Sequence, residues 1–92
     1  MNDLVVPNFV NARLNVTWAG SNGDLPDHIP YDASDAEIRT WATEAIRTGG
    51  IPGITADPMV RLDDFVIDRF PATAEIQANR IFLRPKTPFG LI

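Results

Sequence analysis

The residues of this sequence that could take part in chemistry lie close to its C-terminal end. A short apolar stretch, residues 79–84, runs into the segment Pro85-Lys86-Thr87-Pro88-Phe89-Gly90, and two further residues follow. Glycine has no Cβ, so the active site of another protein can close around the backbone at Gly90. One interpretation is a chain whose own C-terminal segment, at Phe89 and Gly90, is the part that reacts, and the alternative is a disordered C-terminus, which most domains have.

Few other side chains are candidates for catalysis or metal binding. The chain has 92 residues, no cysteine and one histidine, which excludes thiolate nucleophiles, disulfides and zinc sites built from cysteine or from several histidines. We interpret His28 as a solvated loop residue. The group Asp63, Asp64 and Asp68 could hold a cation or act as an acid/base pair, but it lacks the glycine spacing of calcium loops. We therefore favour the interpretation of these aspartates as solvated residues that flank a strand. For the protein as a whole we expect no catalytic activity, no bound metal and no cofactor.

Composition narrows the class of protein and of partner. A chain of this length that is 45% hydrophobic and 22% charged is typical of one globular domain. A net charge of −4 without a basic cluster argues against a nucleic-acid partner. No apolar run approaches the roughly 18 residues of a membrane span, and the first residues lack the pattern of a secretory signal. We expect a cytoplasmic monomer with no nucleic-acid or membrane partner.

Residues 11–18 predict a strand with one buried face. Apolar and polar residues alternate strictly in this stretch, which matches the two-residue period of a strand. The apolar positions are Ala12, Leu14, Val16 and Trp18. Residues 19–23 contain two glycines and an asparagine, so they predict a turn that closes a hairpin.

The segments on either side of this hairpin carry weaker patterns. Residues 1–10 are mixed in character, and we interpret them as an extension or an edge element. After the turn, a poorer strand passes through Leu25, Ile29 and Tyr31. The two prolines within it cannot donate ladder hydrogen bonds, so this strand is expected at an edge or in two pieces.

One helix is predicted over residues 35–48. Ser34 and Glu37 have the spacing of a capping box, in which each side chain accepts a hydrogen bond from the other residue's backbone N–H. Gly49 and Gly50 supply the left-handed conformation that commonly ends a helix. The apolar stripe has helical spacing and consists of Ile38, Trp41, Ala42, Ala45 and Ile46. We expect Trp41, like Trp18 on the first strand, to lie in the core.

Two more strands complete the predicted fold. Residues 65–67 are predicted to form a short strand that ends near residues 68–70. Residues 79–84 are predicted to form a final strand with Ile81 and Leu83 on one face. The order of elements predicts an α+β domain: a β-grasp-like mixed sheet of four to five strands, with the single helix packed across it and the final strand beside the first.

The chain resembles ubiquitin-like proteins over roughly Asn11 to Gly90. The segment Gly50-Ile51-Pro52 looks like the exit that follows the single helix of ubiquitin, and the last strand with Arg84 at its junction looks like ubiquitin's last strand and tail. The domain organisation that we predict is an N-terminal extension (1–10), a globular domain (11–84) and an extended tail (85–92).

This resemblance implies a protein modifier or a sulfur-carrier-like protein that does no catalysis itself. Gly90, after loss of Leu91-Ile92 or through direct use of an internal bond, would be adenylated by an activating enzyme and transferred as a thioester to a target amine. Its partners would be activating and conjugating enzymes and an isopeptidase. In ubiquitin-like modifiers two glycines usually end the tail, whereas Phe89 precedes Gly90 here, and the single lysine, Lys86, lies in the tail.

A non-catalytic binding or assembly module is the alternative. Alternation with Ile81 and Leu83 predicts that Phe82 points away from the core, and we expect Arg69, Arg80 and Arg84 to be exposed on the same face. Arginine and aromatic residues are enriched at the hot spots of protein interfaces. In this alternative a partner would dock on that face or on a sheet edge, and the tail would be only a tether.

Overall fold

The computed structural model describes residues 8–86, with only the backbone described for Asn8 and Phe9. Its elements are β1 (Asn8–Trp18), β2 (Ser21–Asp24), β3 (Ile29–Pro30), α1 (Asp35–Thr48), β4 (Val66–Phe70) and β5 (Ala78–Arg84). The sheet has the order β2-β1-β5-β4, and β3 also pairs with β1. Only the β1–β5 pair is parallel. This mixed five-stranded sheet with one helix packed across it confirms the predicted β-grasp-like fold.

β1 lies in the interior of the sheet because one of its faces is apolar throughout. Its residues Ala12, Leu14 and Val16 are buried. Leu14 lies opposite Ile81 and Val16 opposite Leu83 in the ladder with β5, so the prediction that the first and last strands are neighbours is confirmed. β1 begins at Asn8, three residues earlier than the alternation indicated, and the register with β5 shifts between Asn8 and Ala12.

The β1–β2 hairpin closes through two residues, Ala19 and Gly20. Trp18 pairs with Ser21, so the turn is shorter than the predicted segment 19–23. Ala19 has φ 52° and Gly20 has φ 81°. Positive φ at both central residues is the mark of a type I′ turn, whose twist matches that of the flanking strands.

Of the predicted poorer strand through Leu25, Ile29 and Tyr31, only Ile29–Pro30 (β3) is a strand, whereas β2 occupies most of the segment that was predicted as a turn. Both β2 and β3 pair with the same edge of β1. Just outside them, the N–H of Leu25 donates to the Leu14 carbonyl at 2.9 Å and that of Tyr31 to the Val10 carbonyl at 2.7 Å. The chain therefore follows β1 along its length despite the interruption.

The capping box at the start of α1 is present. The Glu37 N–H donates to Ser34 Oγ at 3.1 Å and the Ser34 N–H to Glu37 Oε1 at 3.0 Å. The helix ends at Gly49, which has φ 75°, as predicted. The helical residues buried against the sheet are Ile38, Ala42 and Ile46. Within residues 8–86, no helix is long and apolar enough to cross a membrane.

The core lies between α1 and one face of the sheet, and the loop after the helix contributes to it. That loop was predicted only as irregular, yet its side chains Ile51, Ile54, Val60 and Leu62 are buried. Trp18 and Trp41, predicted to lie in the core, are half-buried and pack against its rim. Trp18 Nε1 donates to Asp57 Oδ2 at 3.0 Å. A polar ring nitrogen of this kind favours a rim position, where it finds a partner.

Candidate protein-interaction surface

The face of the sheet that points away from α1 carries the candidate site. In β5, buried residues alternate with less buried ones, so the prediction that Phe82 points away from the core is confirmed. In the ladder, Phe82 lies opposite Asp68 of β4 and Asn15 of β1. We use the term outer face for the surface formed by Arg13, Asn15, Asp24, Asp68, Phe70, Arg80, Phe82 and Arg84.

Two aromatic rings and one arginine form a cluster on the β4–β5 side of the outer face. The rings of Phe70 and Phe82 meet edge to face, with centroids 5.5 Å apart and an interplanar angle of 71°. Arg80 Cζ lies 5.5 Å from the Phe70 centroid, within the range of a cation–π contact. Phe70 is 45% exposed. We call Phe70, Arg80 and Phe82 the aromatic cluster.

The charged groups around this cluster are paired, with Arg80 as the exception. Arg84 Nε donates to Asp68 Oδ2 at 2.7 Å, and Arg13 Nη1 lies 3.6 Å from Asp24 Oδ2. Arg80 forms no ion pair with any residue in the described range, and its buried Nε has no hydrogen-bond partner there. Within residues 8–86, Arg80 is thus the cation of the outer face that has no carboxylate partner.

The β1–β2 side of the outer face has a different character. Asn15 Nδ2 donates to Asp24 Oδ1 at 2.9 Å, and Asn22 Nδ2 donates to Asn15 Oδ1 at 2.7 Å. These groups satisfy one another across the hairpin, so they gain little by binding a further partner. The chemistry that is available to a partner is therefore concentrated at the aromatic cluster.

The prediction that Arg69 shares the face of Arg80 and Arg84 is wrong. Arg69 lies opposite Ile81 in the β4–β5 ladder, on the side of the sheet that α1 covers. Its Nη1 donates to the Tyr31 carbonyl at 2.9 Å and its Nη2 to Asp35 Oδ1 at 2.6 Å. In a strand, neighbouring side chains point to opposite faces, so Arg69 fastens β4 to the start of α1.

Phe70 is the outer-face residue that the sequence analysis missed. The short strand predicted at residues 65–67 was expected to end near residues 68–70, and β4 spans Val66–Phe70, but no face was assigned to Phe70. The alternation of Val66, Asp68 and Phe70 was visible in the sequence. These residues could be assigned to the outer face only once the register of β4 with β5 was known. That register sets Phe70 opposite Arg80.

The structure also fixes the point at which the last strand ends. β5 ends at Arg84, opposite Val66 of β4, and Pro85 and Lys86 are exposed. The predicted reactive residues Phe89 and Gly90 lie outside the described residues, as do Leu91 and Ile92. Residues 85 and 86 therefore follow the end of an interior strand, next to Arg84 of the outer face.

The remaining candidates from the sequence lie apart from this surface or are paired within it. His28 is exposed in the loop before β3, in agreement with its interpretation as a solvated residue. Asp63 accepts a hydrogen bond from Arg61 at 2.7 Å, and this bond and the Asp63 charge raise the pKa of the Arg61 guanidinium. In the described part of the chain, no three His, Asp or Glu side chains are placed to hold a metal ion.

No protein-family model, curated protein or solved structure matches this chain.

Proposed function

We propose that this protein is a ubiquitin-like protein that acts without catalysis, by binding other proteins through its outer face. The observation that carries the proposal is the aromatic cluster. Phe70 is 45% exposed, and Arg80 stacks on it without a carboxylate partner among the described residues. Aromatic residues and arginine on one surface are the composition of interface hot spots.

The position of the cluster supports a role in binding rather than in folding. The hydrophobic core lies on the opposite side of the sheet and includes Ile81 and Leu83, which alternate with Arg80 and Phe82 along β5. The rings of Phe70 and Phe82 therefore lie on the solvent side of the sheet and not in the core. Two adjacent aromatic rings on the solvent side of the sheet, flanked by charged residues, support a role of this face in interaction.

A comparative capture experiment tests this proposal. The full chain, the Phe82→Ser variant and the Arg47→Ala variant are immobilised and exposed to extract of the source cells, and the bound proteins are quantified by mass spectrometry. Arg47 is the matched control because it is exposed on α1. We expect Phe82→Ser to reduce capture of the specific partner by about thirtyfold, the effect of losing a hot-spot side chain, and Arg47→Ala to leave it unchanged. Equal capture by all three proteins would contradict the proposal.

A second candidate, the ubiquitin-like modifier, is supported by the point where the tail begins. Interior strand β5 ends at Arg84, and the chain continues through exposed Pro85. Six residues from Pro85 to Gly90 can span about 20 Å, and the prolines restrict the backbone to open conformations. An enzyme bound to the outer face could therefore receive Gly90, which would be adenylated after loss of Leu91-Ile92 and then transferred as a thioester.

Mass spectrometry of the protein recovered from its source cells tests the modifier function. The expected species end in Gly90 or carry another protein joined to the Gly90 carbonyl. Gly90→Val should abolish them while leaving the melting temperature unchanged, because a branched side chain obstructs a narrow channel in the partner enzyme. Recovery of the protein always intact to Ile92 and unconjugated, in cells that contain an activating enzyme, would contradict this function.

A further inference from the structure

We propose that the partner of the outer face is an acidic protein segment, one that places an apolar side chain on the aromatic cluster and a carboxylate against Arg80. This inference rests on the proposed function, since it requires the outer face to be a docking surface. The inference adds a description of the partner's chemistry, which neither the fold nor the aromatic residues define by themselves.

The charges of the outer face give the first argument. The face holds three arginines and two aspartates, within a chain of net charge −4. Asp68 is paired with Arg84 and Asp24 with Arg13. Arg80 keeps its charge without compensation from the described residues, and it lies directly opposite Arg13 in the parallel ladder. Like charges that face each other in a sheet are unfavourable, and a carboxylate bound between them would remove that cost.

The geometry of Arg80 gives the second argument. Its guanidinium is already held over the Phe70 ring at 5.5 Å, so it loses little side-chain freedom when a partner binds. Its Nε is buried, which leaves the two terminal nitrogens to reach a ligand. Those two nitrogens match the two oxygens of a carboxylate, and a charge-assisted pair of this kind is among the strong hydrogen bonds of proteins.

The apolar half of the predicted ligand follows from the two rings. Phe70 and Phe82 form a joint surface next to Arg80, so an aliphatic or aromatic side chain adjacent to the carboxylate covers both. Single-stranded nucleic acid could also stack on exposed rings, but it binds in a positively charged groove that follows its backbone, whereas the outer face has one uncompensated arginine among the described residues. An acidic and apolar protein segment is therefore favoured over nucleic acid.

NMR titration of the isotope-labelled full chain tests the inference with defined probes. The probes are a short peptide with leucine flanked by glutamates, the same peptide with lysines in place of the glutamates, and a short oligothymidine. We expect the glutamate peptide to shift the amide signals of residues 68–70 and 80–82, and its binding to weaken as salt is raised. Arg80→Gln should weaken that binding by about tenfold, while the control Arg47→Gln leaves it unchanged. Phe70→Ser provides a second variant if Arg80→Gln fails to fold.

The outcomes separate this inference from the function on which it rests. Tighter binding of the lysine peptide at the same residues would overturn the acidic chemistry and keep the outer face as a docking surface. Binding of the oligothymidine there would replace the protein ligand with nucleic acid. Shifts confined to α1, or no shifts with the glutamate peptide even at millimolar concentration, would overturn the inference, and the capture experiment would then decide the proposed function by itself.

Discussion

Arg69 and Arg80, on neighbouring strands, have opposite tasks. Arg69 lies on the helix side of the sheet and donates hydrogen bonds to the Tyr31 carbonyl and to Asp35. Arg80 lies on the outer face and contacts a ring, and it has no carboxylate partner among residues 8–86. The first arginine joins elements of the fold, whereas the second leaves its charge available to the partner that we propose. Stability measurements can distinguish these tasks.

We expect Arg69→Gln to lower the free energy of unfolding by about 1–2 kcal/mol, because it removes two hydrogen bonds made by a partly buried charge. Arg80→Gln should cost at most about 1 kcal/mol, the value of one exposed cation–π contact. Urea unfolding of both variants measures the difference. Equal losses, or a larger loss for Arg80→Gln, would mean that Arg80 is needed for the fold and not reserved for binding.

Ala19 holds a conformation that costs it energy. Its φ of 52° lies in the left-handed region, where an L-residue other than Gly, Asn or Asp is disfavoured by roughly 1–2 kcal/mol. Ala19→Asn would create the Asn-Gly sequence that type I′ turns prefer, so we expect a gain of about 0.5–1 kcal/mol. Gly20→Ala, which forces a Cβ into φ 81°, is the matched control and should lose stability. A lower melting temperature for Ala19→Asn would contradict this account of the turn.

At the scale of elements, α1 is held to the sheet by its apolar stripe, and the residues of that stripe are not equivalent. Ile38 is fully buried, whereas Trp41 is only half-buried at the rim of the core. We expect Ile38→Ala to cost about 2–5 kcal/mol, the range for a buried aliphatic side chain. Trp41→Ala should cost only about 2 kcal/mol, below the roughly 3–5 kcal/mol for a buried tryptophan. A larger loss for Trp41→Ala in urea unfolding would show that the ring lies deeper than described.

The start of α1 depends on the reciprocal hydrogen bonds of Ser34 and Glu37. Ser34→Ala removes the acceptor for the Glu37 N–H and should cost about 1 kcal/mol, with a range of about 0.5–2 kcal/mol. The helix content measured by circular dichroism should stay close to that of the natural protein, since the stripe that anchors the helix is untouched. An unchanged urea midpoint would indicate that another residue caps the helix in solution.

The elements also show which features a sequence can predict. The spacing of Ser34, Glu37 and Gly49 is local, and it predicted both ends of α1 correctly. The strict alternation before Trp18 likewise predicted the strand and its buried face. The faces of the β4 residues were harder to predict, because a short alternating pattern does not reveal the register of a strand with its neighbour. A strand offset by one residue presents the opposite set of side chains. That ambiguity placed Arg69 on the wrong face and left Phe70 out.

In the whole molecule, the core lies on one face of the sheet and the proposed docking surface lies on the other. One face packs against α1 and the loop at residues 51–62, and it contains the core. The other face brings Phe70 and Phe82 together, although they lie on different strands. This pairing depends on the register of β4 with β5, which sets Phe70 opposite Arg80 and Asp68 opposite Phe82. Composition and spacing therefore predicted the fold and part of the outer face, but not the aromatic cluster.

Photo-crosslinking in the source cells tests most directly whether proteins bind to the outer face. A benzoylphenylalanine is placed at position 82 in one protein and at position 40 in another, since Thr40 is exposed on α1. We predict that position 82 yields defined protein adducts, that position 40 yields none, and that adding Arg80→Gln reduces the adducts from position 82. Adducts of equal yield at both positions, or adducts at position 40 alone, would contradict the claim.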